Sequence, residues 1–307
     1  MKWSEKMSAS PRRRQALLLL VHQNSHCLDE LIRLMDNGRA DFFVHVDAKA
    51  KGFDRRRVAG AVRRGRLTWV EPVSVRWGTP SMVEAELRLF AAAAAADEQY
   101  SYYHLLSGAD LPVRGADEIY DFFDAASDCF IDTEPMLPDF ADRITLRHIA
   151  WLTLPPSARP TPGNRLRRLG SRLWLGVQRR LGLRRAWSRA WPKPVHGSQW
   201  CSLPHEAVVE LLEQRRLIRR MVRASFSPDE MYKQTILCAK PERFRLSPLA
   251  DLRFIDWSTD AAHPASISPA HFAAIDASAD LFARKFDSPE VVDAFLMRHE
   301  NHAKSDV

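Results

Sequence analysis

The sequence predicts an α/β domain on a mostly parallel central sheet, of the kind that binds nucleotides. Three observations carry that expectation. Short apolar runs alternate with helical periodicity through residues 15–70, which calls for parallel pairing and right-handed crossovers. The chain has 307 residues, 46% hydrophobic and 27% charged, enough for a large core and too apolar for disorder. The longest apolar stretch near the start is residues 16–21, far short of the roughly 20 that a spanning helix needs.

Residues 1–14 are polar and basic and read as a flexible terminus. Residues 15–22 are a buried strand, a short apolar run bounded by polar residues. Ser25 caps a helix with apolar positions Leu28, Leu31, Ile32 and Met35, closed by Asn37-Gly38. Residues 41–47 are a second strand, 53–64 a basic helix ended by Gly65, and 67–70 a third strand stopped by Pro72. Pro80 opens a helix over 81–96. A strand at 102–106, a helix at 117–123 and a strand at 129–132 follow, while 142–152 reads clearly as neither. Strand character returns at 195–203, helices at 205–220 and 229–239, and a strand at 252–257. Helices at 269–277 and 288–300 close the chain, the last with Ser288 as cap and Pro289 at its first position.

The net charge of +7 is local. Thirteen Lys/Arg and no acid fall within 143–205, and the total less these thirteen leaves −6 for the rest. A nucleic-acid binder spreads its charge along its main binding face, so nucleic acid is not expected as a partner. Between Pro-rich ends, residues 156–194 hold Leu166, Leu169, Leu173, Val177, Leu181, Trp187 and Trp191 at helical spacing, with Arg165, Arg168, Arg172, Arg179, Arg180 and Arg185 among them. That pattern fits a surface helix covering the core or a basic amphipathic helix lying on an anionic membrane. Gly170, Gly176 and Gly182 weaken it by up to about 1 kcal/mol each. Cys27, Cys129, Cys201 and Cys238 are scattered, without a C-x-x-C pair, and read as reduced thiols; the histidines add no cluster, so no metal site is expected.

The first strand-to-helix turn, His22-Gln23-Asn24-Ser25-His26, lacks both G-x-G-x-x-G and the P-loop pattern. Asp47 ends the second strand, where an acid either meets a ribose or uracil or caps a turn. Ser107-Gly108-Ala109-Asp110-Leu111-Pro112 is a tight turn that aims Asp110 across the sheet end or does turn chemistry alone. Arg76-Trp77-Gly78-Thr79-Pro80-Ser81 opens on a helix N-terminus, which favours anions. Asp229 and Glu230 begin a helical turn, either as dipole partners or with one serving as a general base. Arg284-Lys285 sits in an alternating apolar/basic string, either as solvated charges or as a binding pair.

Taken in order, six strings resemble one family. They are His45-Val46-Asp47-Ala48-Lys49, Val75-Arg76-Trp77-Gly78-Thr79-Pro80-Ser81, Tyr103-His104-Leu105-Leu106-Ser107-Gly108-Ala109-Asp110-Leu111-Pro112, His196-Gly197-Ser198-Gln199-Trp200, Phe226-Ser227-Pro228-Asp229-Glu230 and Leu281-Phe282-Ala283-Arg284-Lys285-Phe286. Across residues 15–286 the chain is similar to the core-2/I-branching β-1,6-N-acetylglucosaminyltransferases, a family that also holds peptide O-xylosyltransferases. The resemblance implies a GT-A-like, Rossmann-type fold and inverting transfer from a UDP-sugar to a hydroxyl of a glycan or lipid-linked acceptor. N-acetylglucosamine is the first donor to expect and xylose the alternative. One domain over 15–303 is implied, with a nucleotide-sugar half at 15–135 and an acceptor half at 136–303.

The resemblance carries the catalytic base to Glu230, the donor-diphosphate contact to Lys285 and the uridine contact to Asp47. Trp77, Asp110, Ser198, Trp200, Asp229 and Arg284 fall in the matching strings and are expected to bind substrate. Asp47 is followed by Ala48 and Lys49, so there is no D-x-D. Lys285, with Arg284 beside it, then supplies the positive charge that a metal gives elsewhere; no cofactor beyond the donor is expected, as in core-2 members. The family's second phosphate-binding Arg falls near Ala262-His263-Pro264, leaving His263 or Arg253 in its place. Glu134, Arg143 and Arg147 are candidates in the acceptor region at 132–148. Animal members carry a membrane anchor and lumenal disulfides that this sequence lacks. A bacterial-type cytoplasmic enzyme is therefore expected, touching the inner face of a membrane at most peripherally. The competing class is a basic glycan- or nucleic-acid-binding module without catalysis.

Overall fold

The structure, a computed structural model, describes residues 13–134, 138–155, 158–258 and 264–305. Residues 1–12 of the expected flexible terminus, and His263, lie outside the described residues. The order is β1 (Gln15–Val21), α1 (His26–Met35), β2 (Ala40–Val46), α2 (Arg55–Ala61), β3 (Leu67–Val70), α3 (Pro80–Ala94), β4 (Tyr102–Ser107), β5 (Asp110–Pro112), α4 (Ala116–Asp124), β6 (Phe130–Ile131), α5 (Pro138–Thr145) and α6 (Pro162–Arg180). It continues with β7 (Cys201–Pro204), α7 (His205–Glu213), α8 (Arg215–Met221), α9 (Tyr232–Leu237), β8 (Arg253–Ile255), α10 (Phe272–Ala277), β9 (Phe282–Arg284) and α11 (Pro289–Ser305).

The main sheet has the order β3-β2-β1-β4-β7-β6. Its first four strands are parallel, and β7 runs antiparallel to both β4 and β6. β1 and β2 are mainly apolar because both faces of the sheet are covered, with Gln15, Asp41 and His45 buried among the apolar residues. Leu17, Leu19 and Val21 enter one core with α1, α4 and α11, while Ala16 and Leu18 enter a second with α3 and α7. Successive strand residues point to opposite faces, so one strand feeds two cores. A smaller sheet, β5-β9-β8, pairs β9 antiparallel to β5 and parallel to β8. It ties the Asp110 turn to the Arg284 string.

Several expectations are corrected. Arg14 is not frayed: its Nε donates to Asp41 at 3.2 Å and its Nη1 to the Gly38 carbonyl at 2.6 Å. The helix expected at 205–220 divides at Gln214. The helix expected at 229–239 becomes a 3-10 turn, Pro228–Glu230, and then α9, broken at Met231. The strand expected at 195–203 is confined to β7 and its flank. Residues 195–200 instead form a loop bridged to Glu134. The basic insert does contain a helix, α6. All four cysteines are free, with Cys27, Cys129 and Cys201 buried; burial pushes the Cys201 thiol up to about 12. Among the described residues no helix is long and apolar enough to cross a membrane.

Candidate active site

Ligands of open α/β sheets bind beyond the carboxyl ends of the strands, and the six strings meet there. The Asp47 N–H donates to the Val21 carbonyl at 2.9 Å, joining the ends of β1 and β2. Asp47 Oδ1 accepts from the N–H of Lys49 (2.8 Å) and of Val75 (3.3 Å), and its Oδ2 lies 3.5 Å from Lys49 Nζ. Asp47 therefore holds the loop that carries Trp77. That loop turns at Gly78, whose φ is +68° and where a Cβ would lie 2.6 Å from the Phe226 ring. A side chain there meets both a disfavoured backbone and a filled space. The Gly78 carbonyl accepts from the Ser227 N–H at 3.0 Å. Phe226 packs edge-on against Trp77, with ring centroids 5.3 Å apart. The left-handed Ser227 (φ 46°) then starts the 3-10 turn that presents Glu230.

Glu230 is partly exposed, and its Oε2 accepts from Arg143 Nη1 at 3.1 Å. His196 Nε2 lies 3.5 Å from the same oxygen, and His196 Nδ1 lies 2.9 Å from Glu134 Oε2. A carboxylate only accepts, so Nδ1 carries the proton. His196 Nε2 is buried and otherwise without a hydrogen-bond partner among the described residues. The backbone fixes this geometry as well. The Gly197 N–H donates to the Glu230 carbonyl at 2.9 Å, and a Cβ on Gly197 would fall 2.0 Å from the Asp132 carbonyl oxygen. The Phe226 N–H donates to the Arg143 carbonyl at 2.8 Å, which brings α5 to the same place.

Behind the turn lies a wholly buried ionic cluster. Glu86 of α3 accepts from Tyr232 Oη (2.8 Å), Lys233 Nζ (2.7 Å) and Gln199 Nε2 (2.8 Å). Lys233 Nζ also donates to the Asp229 carbonyl at 3.0 Å, which anchors the turn from below. Asp229 points inward and is buried, with Oδ1 lacking a hydrogen-bond partner among the described residues. Burial, and then the neighbouring Glu230 and Glu86 charges, push its carboxyl well above the ordinary range. Asp229 and Glu230, adjacent in sequence, thus have opposite surroundings.

The last string separates its two cations. Arg284, expected beside Lys285 at the diphosphate, is buried instead. Its guanidinium carbon sits 3.9 Å above the Trp200 ring, and its Nε lies 3.1 Å from Asp110 Oδ1. Asp110 also turns inward and accepts from the Ser107 N–H (2.7 Å) and hydroxyl (3.0 Å). Arg284 is the last residue of β9, and Lys285 lies just beyond the strand. Lys285 is partly exposed, with Nζ 3.2 Å from Asp287 Oδ1. Ser198 accepts from the Trp200 N–H at 3.1 Å and so closes its own turn. Arg253 is also corrected as a phosphate contact: it is buried and donates to Ser202 Oγ (3.0 Å) and the Cys201 carbonyl (2.8 Å). Arg147 is held by its backbone against Gln178 and keeps its side chain outside.

The contacts run from Asp47 through the Trp77 loop and Phe226 to Glu230 and His196, and the chain leads on through the Ser198 turn to Trp200, Arg284 and Asp110. Sequence reasoning did not single out His196, Glu86 or Lys233. Glu86 had one faint signal, its place on the α3 face of Val83 and Phe90. Among the described residues, no three His, Cys, Asp or Glu side chains converge to hold a metal ion.

A mostly parallel α/β sheet with a partly exposed, cation-paired carboxylate and aromatic walls at its ligand end is the arrangement of a glycosyltransferase. The chain belongs to the Core-2/I-Branching enzyme family, which matches residues 16–279. Such an enzyme takes a nucleotide-sugar donor and a glycan acceptor. Among solved structures the chain is similar to mouse xyloside xylosyltransferase 1 in its apo form, with 10% identity and a TM-score of 0.40, over 88% of this chain and 96% of that one. No curated protein matches the sequence.

Proposed function

We propose that the chain is an inverting transferase that moves a sugar, N-acetylglucosamine first among donors, from a UDP-sugar to a hydroxyl of a glycan or lipid-linked acceptor, with Glu230 as general base and without a metal. The observation that carries this reading is the Glu230 carboxylate itself, exposed on one side and held on the other by Arg143, with His196 Nε2 close by. The acceptor oxygen attacks the anomeric carbon in line, the bond from that carbon to the phosphate oxygen breaks, and Glu230 takes the hydroxyl proton. UDP departs with the bonding pair, and the Lys285 ammonium neutralises the charge it gathers. Asp47 meets the nucleoside. Arg284 and Asp110 brace the Trp200 wall and act through position, without touching the diphosphate.

His196 gives the proton an exit. With Nδ1–H on Glu134, its Nε2 offers a lone pair toward Glu230 Oε2. The imidazolium formed when the proton moves on is stabilised by Glu134, the pattern of a carboxylate-oriented histidine. UDP release measured over a panel of UDP-sugars, with and without EDTA, tests the reading. Release from UDP-N-acetylglucosamine with an oligosaccharide acceptor, unchanged in EDTA, is the expected result. Preference for UDP-xylose would move the donor assignment. Loss of activity in EDTA with rescue by Mn²⁺ would overturn the metal-free mechanism.

A further inference from the structure

Seven of the twelve large apolar side chains left exposed among the described residues lie on α6 or just past its C-terminal end, so exposure here is organised. On the helix and its cap, Leu166, Leu169, Leu173, Val177 and Leu181 are 68%, 52%, 61%, 49% and 65% exposed. At 100° per residue these five fall within a sector of about 120°. The adjacent flank, about 100° round from the centre of that sector, is seated by polar contacts. Arg167 Nε donates to the Trp151 carbonyl at 2.8 Å, Trp174 Nε1 to the Arg147 carbonyl at 2.6 Å, and Gln178 accepts from the Arg147 N–H at 2.9 Å. The helix is therefore held to the protein along one flank and presents an exposed apolar ridge beside it.

Charge decides what fits that ridge. Arg165 and Arg172 flank it and Arg180 sits within it, and residues 143–205 contain thirteen cations and no acid. A second copy brought face to face would set these cations against one another, which costs rather than stabilises. A nucleic-acid backbone would meet the arginines but leave the leucines in water. An anionic lipid surface satisfies both, with headgroups for the guanidiniums and the acyl boundary for the leucines.

We infer that α6 is a membrane-docking helix that lies in the headgroup region of an anionic bilayer. The segment beneath it joins α5, whose Arg143 holds Glu230, so docking sets the candidate active site beside the lipid surface. Co-sedimentation of the full chain with phosphatidylcholine vesicles, with and without phosphatidylglycerol, tests this. The chain is expected to pellet with the anionic vesicles alone and to be released by salt. Leu166→Ser/Leu169→Ser/Leu173→Ser should lower the bound fraction about tenfold or more. Arg165→Gln and Arg172→Gln should each cost about fivefold in partitioning. Circular dichroism and UDP-sugar turnover without vesicles should be unchanged in all three variants, so failure of this inference is distinguishable from failure of the proposed reaction. Equal recovery in the supernatant with and without anionic lipid would overturn it. So would undiminished pelleting of the serine variant, or a dimer in solution that the serine variant dissolves.

Discussion

Replacing Glu230 by Gln separates a catalytic carboxylate from a structural one. The substitution keeps shape and polarity and removes the charge. In the folded protein that charge faces Arg143 at 3.1 Å, with both side chains about a third exposed. Partly exposed pairs of this kind contribute at most about 1 kcal/mol, so the unfolding midpoint should barely move. The Gly197 bond to the Glu230 backbone carbonyl survives, and the turn keeps its place. Removing a general base costs about 10²–10⁴ in rate, equivalent to about 2.7–5.4 kcal/mol in activation free energy. The expected result is therefore a large loss of UDP release with acceptor present, beside near-native stability and UDP affinity by calorimetry. Turnover within a few-fold of the native enzyme would refute the base assignment. A matching collapse of stability would show instead that the residue holds the turn.

Other outcomes follow from the same contacts. Lys285→Met should weaken UDP binding and lower kcat together, because its attraction to the diphosphate grows as the bond breaks. Asp47→Ala should raise the donor KM more than it lowers kcat, the mark of uniform binding, read from initial rates. Glu86→Gln leaves the fully buried Lys233 ammonium without its counter-charge and should cost about 3–5 kcal/mol in denaturant unfolding. Asp229 is raised by burial and by the charges of Glu230 and Glu86, so the folded state binds its proton more tightly than the unfolded chain. That contribution is full below the unfolded value of about 3.9 and is lost as pH rises toward the folded one. Asp229→Asn should accordingly raise the melting temperature at about pH 7, with the gain shrinking as pH falls toward about 4.

The sequence by itself determined the parallel half of the sheet. β1 and β2 lie between covered faces, so their runs are mainly apolar and their signature is local, the buried Gln15, Asp41 and His45 being satisfied by hydrogen bonds. It likewise determined α6 as a basic amphipathic helix, since helical period and charge are written along the chain. Tertiary structure alone decided what each charged group does. Arg284 and Lys285 are neighbours in sequence, yet the packing seats one against Trp200 and Asp110 and leaves the other partly exposed beside Asp287. Asp229 and Glu230 part in the same way across a single 3-10 turn. Glu86 reads as an ordinary helical surface acid until Lys233, 147 positions away, arrives to pair with it in the core. Arg143 and His196 reach Glu230 from distant parts of the chain, because the close approach at Gly197 and the bond from Phe226 to the Arg143 carbonyl hold those segments together. Burial and pairing are properties of the assembled packing, and no local pattern of residue types encodes which side of a turn faces water.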